Sequence, residues 1–313
     1  MAIPRALLVD PEVALFYHLN SKCVRGAWLF GKRGKKNYKH RKEWVEKRIL
    51  QISQWYAVEV YTYVVMDNHL HILIFFDPKA CEYWSAHEVA FRWFKMFPPR
   101  NGKFDKAVAK LMDNPELLEK RRYQLGSMSE FMKHLKGPIA ARANKEDGVK
   151  GHFFAERFYS GAIIDEESTL AAMSYIDLNP FRAKIAKTLE ATKHGAVQER
   201  LAHAKNTSER LEEWLEPVVS GLEPKVDEAE PRNSDEPRPG VPRIKLGQYL
   251  EMLRTIIRDE RTKHKSPEQK FRAKRWAEQA ALLRKRQRAY GTAEQLDDWT
   301  HKRGFRCVEQ PMS

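Results

Sequence analysis

Residues 56–76, YAVEVYTYVVMDNHLHILIFF, constrain the fold more than any other part of this chain. Two apolar runs rich in β-branched and aromatic residues flank Asp67 and Asn68, and that composition with that turn chemistry predicts two adjacent antiparallel strands. Side chains alternate across a strand, so His69 and His71 share one face while Leu70, Ile72 and Ile74 take the other and can pack on helices. The first face then carries two imidazoles side by side. Such a pair suits a divalent ion once a third ligand arrives from elsewhere, and it equally suits hydrogen-bonded core histidines.

The flanking pattern places this hairpin in a larger α+β unit. Residues 14–22, ALFYHLNSK, read as a strand, and residues 42–55 repeat apolar side chains at helical spacing through Trp44, Ile49, Ile52 and Trp55. Helices are predicted from His87 to Phe97, where Pro98 and Pro99 stop the chain, and from Lys106 to Arg122. Another covers SMSEFMKHLKGPIAARAN, where Ser127 and Glu130 have capping-box spacing. From Gly151 to Ile164 the pattern turns strand-like, and ESTLAAMSYIDL reads as a helix broken at Asn179 and Pro180. Strand, helix, two strands, helix, strand is the ferredoxin-like α+β succession, an antiparallel sheet with helices.

Composition divides the chain. Residues 1–195 form the main domain, and 196–240 are a helical segment followed by an acidic, Pro-rich linker. Residues 221–240 hold six acidic against three basic side chains and lack apolar periodicity. Residues 241–313 form a basic helical C-terminal region with 18 Lys or Arg against 9 Asp or Glu. Over the whole chain the net charge is +14, which attracts polyanions and makes nucleic acid the first partner to consider. The three cysteines, Cys23, Cys81 and Cys307, have no metal or disulfide spacing and fit a reducing cytoplasm. No export signal or membrane span is expected.

A dense basic loop follows the first strand. Lys32, Arg33, Lys35, Lys36, Lys39, Arg41 and Lys42, interleaved with Tyr38 and followed by Trp44, offer cations for phosphates and rings for base stacking. They are the first candidates for DNA contact. The alternative is a solvated loop and helix face.

The segment YTYVVMDNHLHILIFF resembles the metal-binding strand of the HUH nucleases, specifically the bacterial REP-associated tyrosine transposases, where a MxNHxHLL run supplies both histidines. The resemblance continues in order over roughly the first 190 residues, through YHLNSKCVRGAWLFG, GSMSEFMKHLKGPIAARAN, GHFFAERFYSGAIIDEE and MSYIDLNPFRAKIA. It implies an HUH nuclease fold in which His69 and His71 bind a divalent ion, Mg²⁺ or Mn²⁺. It further implies a tyrosine that attacks single-stranded or hairpin DNA to leave a 5′-phosphotyrosine and a free 3′-hydroxyl. A cytoplasmic, nucleoid-associated protein follows from that role.

Carried onto this chain, the nucleophile belongs in Phe153-Phe154-Ala155-Glu156-Arg157-Phe158-Tyr159-Ser160. Counting back from Ile163 and Asp165, the family position falls on Phe158, and the available hydroxyl is one place later, on Tyr159. Either Tyr159 serves in a shifted register or the nucleophile is lost, because one residue along a strand reverses the face. Arg157 is the candidate to stabilise a pentacovalent phosphate. Ala162 and Ile163 occupy the places where the family carries a third metal ligand, which leaves it unassigned among Asp165, Glu166, Glu167 and His152. The leading expectation is a transposase-like single-strand endonuclease and strand transferase. The alternative is a domesticated descendant that binds DNA hairpins without cutting them, and a more distant one is an RNA-directed protein.

Overall fold

The segment LFYHLNSK forms β1 (Leu15–Lys22), a central strand of a six-stranded sheet. The computed structural model describes residues 15–100, 102–205, 207–226, 238, 240–303 and 310–311. After β1 the chain makes a separate two-stranded ribbon, β2 (Lys32–Arg33) and β3 (Lys36–Asn37), and then α1 (Arg41–Ser53). The two apolar runs become β4 (Val58–Val65) and β5 (His69–Phe76), antiparallel neighbours turning at Met66, Asp67 and Asn68.

Among the described residues, a short 3-10 turn (Ala80–Tyr83) and four α-helices separate β5 from the next strand: α2 (Ala86–Met96), α3 (Phe104–Met112), α4 (Pro115–Leu125) and α5 (Met128–Asp147). The single helical region expected over 106–122 is split in two. Asn114 accepts a hydrogen bond from the Leu117 amide and Pro115 takes the first turn, so a new helix starts where the old one would have continued. Ser127 caps α5 by accepting from the Glu130 amide, as the spacing predicts. The strand-like stretch from Gly151 is a continuous strand only at β6 (Tyr159–Ile163); before it, Phe154 makes an isolated antiparallel bridge with Cys23, and Phe153, Phe154 and Phe158 are buried in the core.

Beyond β6 come α6 (Glu166–Asp177), α7 (Asn179–Arg182), α8 (Ala196–Ala204) and β7 (Val219–Ser220). They are followed by α9 (Leu246–Arg261), α10 (Pro267–Lys285), β8 (Ala289–Tyr290) and α11 (Ala293–Lys302). The sheet order is β7-β4-β5-β1-β6-β8. Its inner four strands are antiparallel throughout, with α1 linking β1 to β4 and α2 to α5 linking β5 to β6. That is the βαββαβ succession read from the sequence, and the fold is α+β. The short β7 and the parallel β8 cover the two edges, which makes the sheet mixed and shields its outer ladder groups.

Strand parity sorts the core into two layers. Tyr17, Leu19, Leu70, Ile72 and Ile74 face α1 and α5, where they meet Val45, Ile49, Phe131 and Leu135. Each fully buried aliphatic of this kind contributes about 1.5–3 kcal/mol. Phe16, Leu73, Phe75 and Ile163 face the opposite way, into a cluster with Ile176 of α6, Leu250 and Leu253 of α9 and Trp276 and Leu283 of α10. The C-terminal helices therefore lie against the sheet face that also carries the histidines. No helix among the described residues is long and apolar enough to cross a membrane.

Candidate functional site

The pairing register fixes what surrounds the histidines. On β1, Asn20 stands opposite His71 of β5 on one side and opposite Tyr159 of β6 on the other, while Lys22 stands opposite His69. Directly opposed residues share a face, so Tyr159, Asn20 and His71 form one row across three adjacent strands. Phe158 is buried among the residues that face α1 and α5. Of the two registers left open for the tyrosine, Tyr159 is the hydroxyl on the histidine face.

A third imidazole joins the pair. His18 Nε2 lies 2.8 Å from His71 Nδ1, and the two rings stack with centroids 5.0 Å apart. The Asn20 amide nitrogen donates toward His71, 2.9 Å from Nδ1, and His69 Nδ1 is 2.6 Å from the Asn68 amide oxygen. Tyr175 of α6 covers the group with its ring edge-on to His18 and His71. His18 Nδ1 is buried with no hydrogen-bond partner among the described residues.

Burial governs protonation here. It holds His18 down to about 3, assisted by the nearby Arg286 charge, and His69 down to about 4, assisted by Lys22 and Arg286. His71 is lowered well below the usual imidazole value by burial and by its histidine neighbours. All three are neutral near pH 7, the form in which imidazole binds metal. The unfolded chain takes up the protons first as pH drops, so the cluster's contribution to stability is complete above pH 6.5 and is lost as pH falls through about 4 and about 3. Urea midpoints measured across this range should fall more steeply for the native protein than for His18→Asn. Equal slopes would show that these imidazoles are not held neutral by the fold.

The donors are nitrogens: His69 and His71 supply two imidazoles, and no group of three His, Cys, Asp or Glu among the described residues surrounds a single point. Nitrogen donors fit a transition-metal ion better than Mg²⁺, which prefers oxygen. The carboxylates considered as a third ligand are engaged elsewhere. Asp165 caps α6 by accepting from the Ser168 amide, Glu166 accepts from the Arg243 amide, and Glu167 pairs with Arg275. His152 is exposed in the loop before β6.

Residues remote in sequence close the far side of the row. Arg286, in left-handed backbone at the end of α10, donates to Asn20 Oδ1 at 2.7 Å, and its guanidinium lies over the Tyr159 ring. The Tyr159 hydroxyl donates to the Gln287 carbonyl and sits 2.7 Å from the Tyr290 hydroxyl. Burial pushes the Tyr290 hydroxyl up to about 12. Gly161 makes this arrangement possible, since a Cβ there would overlap the Tyr159 hydroxyl and come within 2.7 Å of the Tyr290 ring. Arg157 is exposed just before β6 and has no carboxylate partner among the described residues.

The basic loop divides into two groups. Lys32, Arg33, Lys35, Lys36 and Lys39 are exposed, and Tyr38 is half-buried. Arg41 and Lys42 correct the sequence expectation: both are buried and cannot reach a phosphate in this conformation. Arg41 has no exposed surface and pairs with Glu146 at 2.8 Å and with Asp147, while its guanidinium covers the Tyr38 ring. Lys42 pairs with Asp67 at 2.7 Å. A buried cation without such partners would be strongly disfavoured, so these two hold structure together.

His18, Asn20, Tyr175, Arg286 and Tyr290 were absent from the sequence-based set. Parity along FYHLN would have found the first two, because Phe16, His18 and Asn20 alternate with the core residues Tyr17 and Leu19.

No protein-family model matches the chain, and no curated protein matches it. Among solved structures, the chain is similar to a REP-associated tyrosine transposase bound to a REP hairpin. The identity is 12% and the TM-score 0.40, with 74% of this chain and 98% of that chain covered.

Proposed function

We propose that this protein binds single-stranded or hairpin DNA and cuts and rejoins it through Tyr159. The observation that carries the reading is the row Tyr159, Asn20, His71 on the face that also holds His69. It sets the Tyr159 side chain on the same sheet face as the neutral imidazole pair, across β1 from His71, within a strongly basic chain. In this reading Tyr159 Oη attacks a backbone phosphorus, the bond to the 3′ oxygen breaks, and a 5′-phosphotyrosine and a free 3′-hydroxyl result. Return attack by a 3′-hydroxyl rejoins a strand and frees the tyrosine. A divalent ion held by His69 and His71 would polarise the scissile phosphate. Asn20 orients His71, and in this reading Arg157 would meet the charge that develops on the phosphate oxygens. Action on DNA would place the protein at the nucleoid.

A second reading, hairpin binding without cleavage, is favoured by one specific contact. The Tyr159 hydroxyl is already engaged by the Gln287 carbonyl and the Tyr290 hydroxyl. The test is incubation of the full-length protein with hairpin-bearing single-stranded oligonucleotides and Mn²⁺ or Mg²⁺, followed by a denaturing gel. A metal-dependent covalent protein–DNA band supports the strand-transfer reading. Tight, salt-sensitive binding with no such band in either metal would replace it with the second.

A further inference from the structure

The exposed half of the basic loop is built as a finger. Lys32 pairs with Asn37 and Arg33 with Lys36 across β2 and β3, and the turn between them contains Gly34 in left-handed backbone. This register sets Arg33 directly opposite Lys36, an arrangement that disfavours the ribbon unless an anion lies close by. No carboxylate among the described residues pairs with Lys32, Arg33, Lys35 or Lys36, and all four are exposed. A two-stranded ribbon this short is marginal by itself.

Its base, however, is fastened firmly. The Phe30 amide donates to the Asp67 carbonyl at 2.9 Å, the Tyr38 amide donates to the Gly31 carbonyl at 2.8 Å, and the Asp67 carboxylate holds Lys42. Gly31 is pressed against Asp67 so closely that a Cβ would lie 2.6 Å from the Asp67 Cβ. Asp67 belongs to the turn between β4 and β5, two residues before His69. The finger is therefore tied to the same hairpin that presents the histidines.

We propose that the β2–β3 ribbon enters the major groove of a DNA stem, and that its attachment at Asp67 sets where the stem lies relative to His69 and Tyr159. The inference rests on the DNA-hairpin reading above. The occupant follows from charge and width. Four unpaired cations in five positions call for a polyanion, and the B-form major groove, about 12 Å wide, admits a two-stranded ribbon. The deep, narrow major groove of A-form RNA does not.

The experiment compares the full-length protein with a variant carrying Lys32→Ala, Arg33→Ala, Lys35→Ala and Lys36→Ala. All four positions are exposed, and an unchanged urea midpoint would confirm that the fold is retained. Each protein is titrated with a DNA hairpin, the RNA hairpin of the same sequence and an unstructured DNA strand at several salt concentrations. Guanine N7 methylation in the DNA stem is probed in parallel. The native protein should favour the DNA hairpin over the RNA hairpin and protect stem N7 atoms, which face the major groove. The variant should lose that protection, weaken hairpin binding roughly 100-fold, and lower the salt slope by about 3, as expected when three to four phosphate contacts disappear. Binding to the unstructured strand should fall far less.

Stem N7 atoms left reactive under saturating native protein would overturn groove entry, as would equal binding of the RNA hairpin with an equal loss in the variant. Native protein that binds the unstructured strand but gains nothing from the stem would defeat the ribbon proposal and leave the DNA reading intact. Failure to bind any of the DNAs would defeat both.

Discussion

Tyr159→Phe should abolish the covalent protein–DNA product while leaving hairpin affinity within about twofold. Removing the nucleophile of a covalent mechanism costs a factor on the order of 10⁴ to 10⁶ and takes the product below detection. The ring itself remains, so its edge contact with His18 and the Arg286 guanidinium above it are retained. Phe158→Tyr in the Tyr159→Phe background is the informative control. A hydroxyl at position 158 would point toward the layer facing α1 and α5, where the native phenylalanine is buried, and should restore nothing. Recovery of the product by that double variant would assign the chemistry to the other register. A covalent product that survives Tyr159→Phe alone would remove Tyr159 from the mechanism.

The local parts of the site were legible because their determinants are local. Two apolar runs around Asp67 and Asn68 specify a hairpin, and alternation along it places His69 and His71 together whatever the rest of the chain does. The tyrosine register was undecidable for the opposite reason. It depends on which residue of β6 stands opposite Asn20, and that pairing is set by cross-strand packing instead of by any property of the stretch RFYSG. Arg41 and Lys42 looked like their exposed neighbours because charge alone does not distinguish a surface cation from a buried one. Their partners Glu146 and Asp147 lie more than a hundred residues away, and Asp67 lies beyond α1 and β4. Arg286, Gln287 and Tyr290 were hidden by the composition of their segment. A run so rich in Lys and Arg reads equally as a clamp for DNA or as a solvated helix face, yet Trp276, Ala280 and Leu283 turn inward and carry the end of α10 onto the histidine face.

The strongest dependence of stability on a single side chain should appear at Asp177, the carboxylate that fastens the C-terminal layer to the sheet. Asp177 is buried on α6 and accepts from Thr62 of β4 and, at 2.6 Å, from the Tyr249 hydroxyl of α9. Arg200 of α8 lies 3.8 Å away and is buried as well, so four elements meet at one charge. Burial raises the Asp177 pKa, against the opposing effects of Arg200 and the two hydroxyls. Asp177→Ala would leave the buried Arg200 cation without its counter-charge and both hydroxyls without their acceptor, a loss of about 3–5 kcal/mol. Against a total near 5–15 kcal/mol, that is a large fraction of the stability of the fold. Asp177→Asn keeps the size and one acceptor oxygen and should recover part of it. Urea midpoints measure both losses, and an alanine variant within about 1 kcal/mol of the native protein would show that the network is dispensable. Tyr175, two residues earlier on α6, covers His18 and His71, so loosening α6 should also admit water to the imidazoles. The acid sensitivity of the variant's stability should then weaken together with its midpoint, because imidazoles that reach water titrate near their unfolded value and no longer oppose protonation.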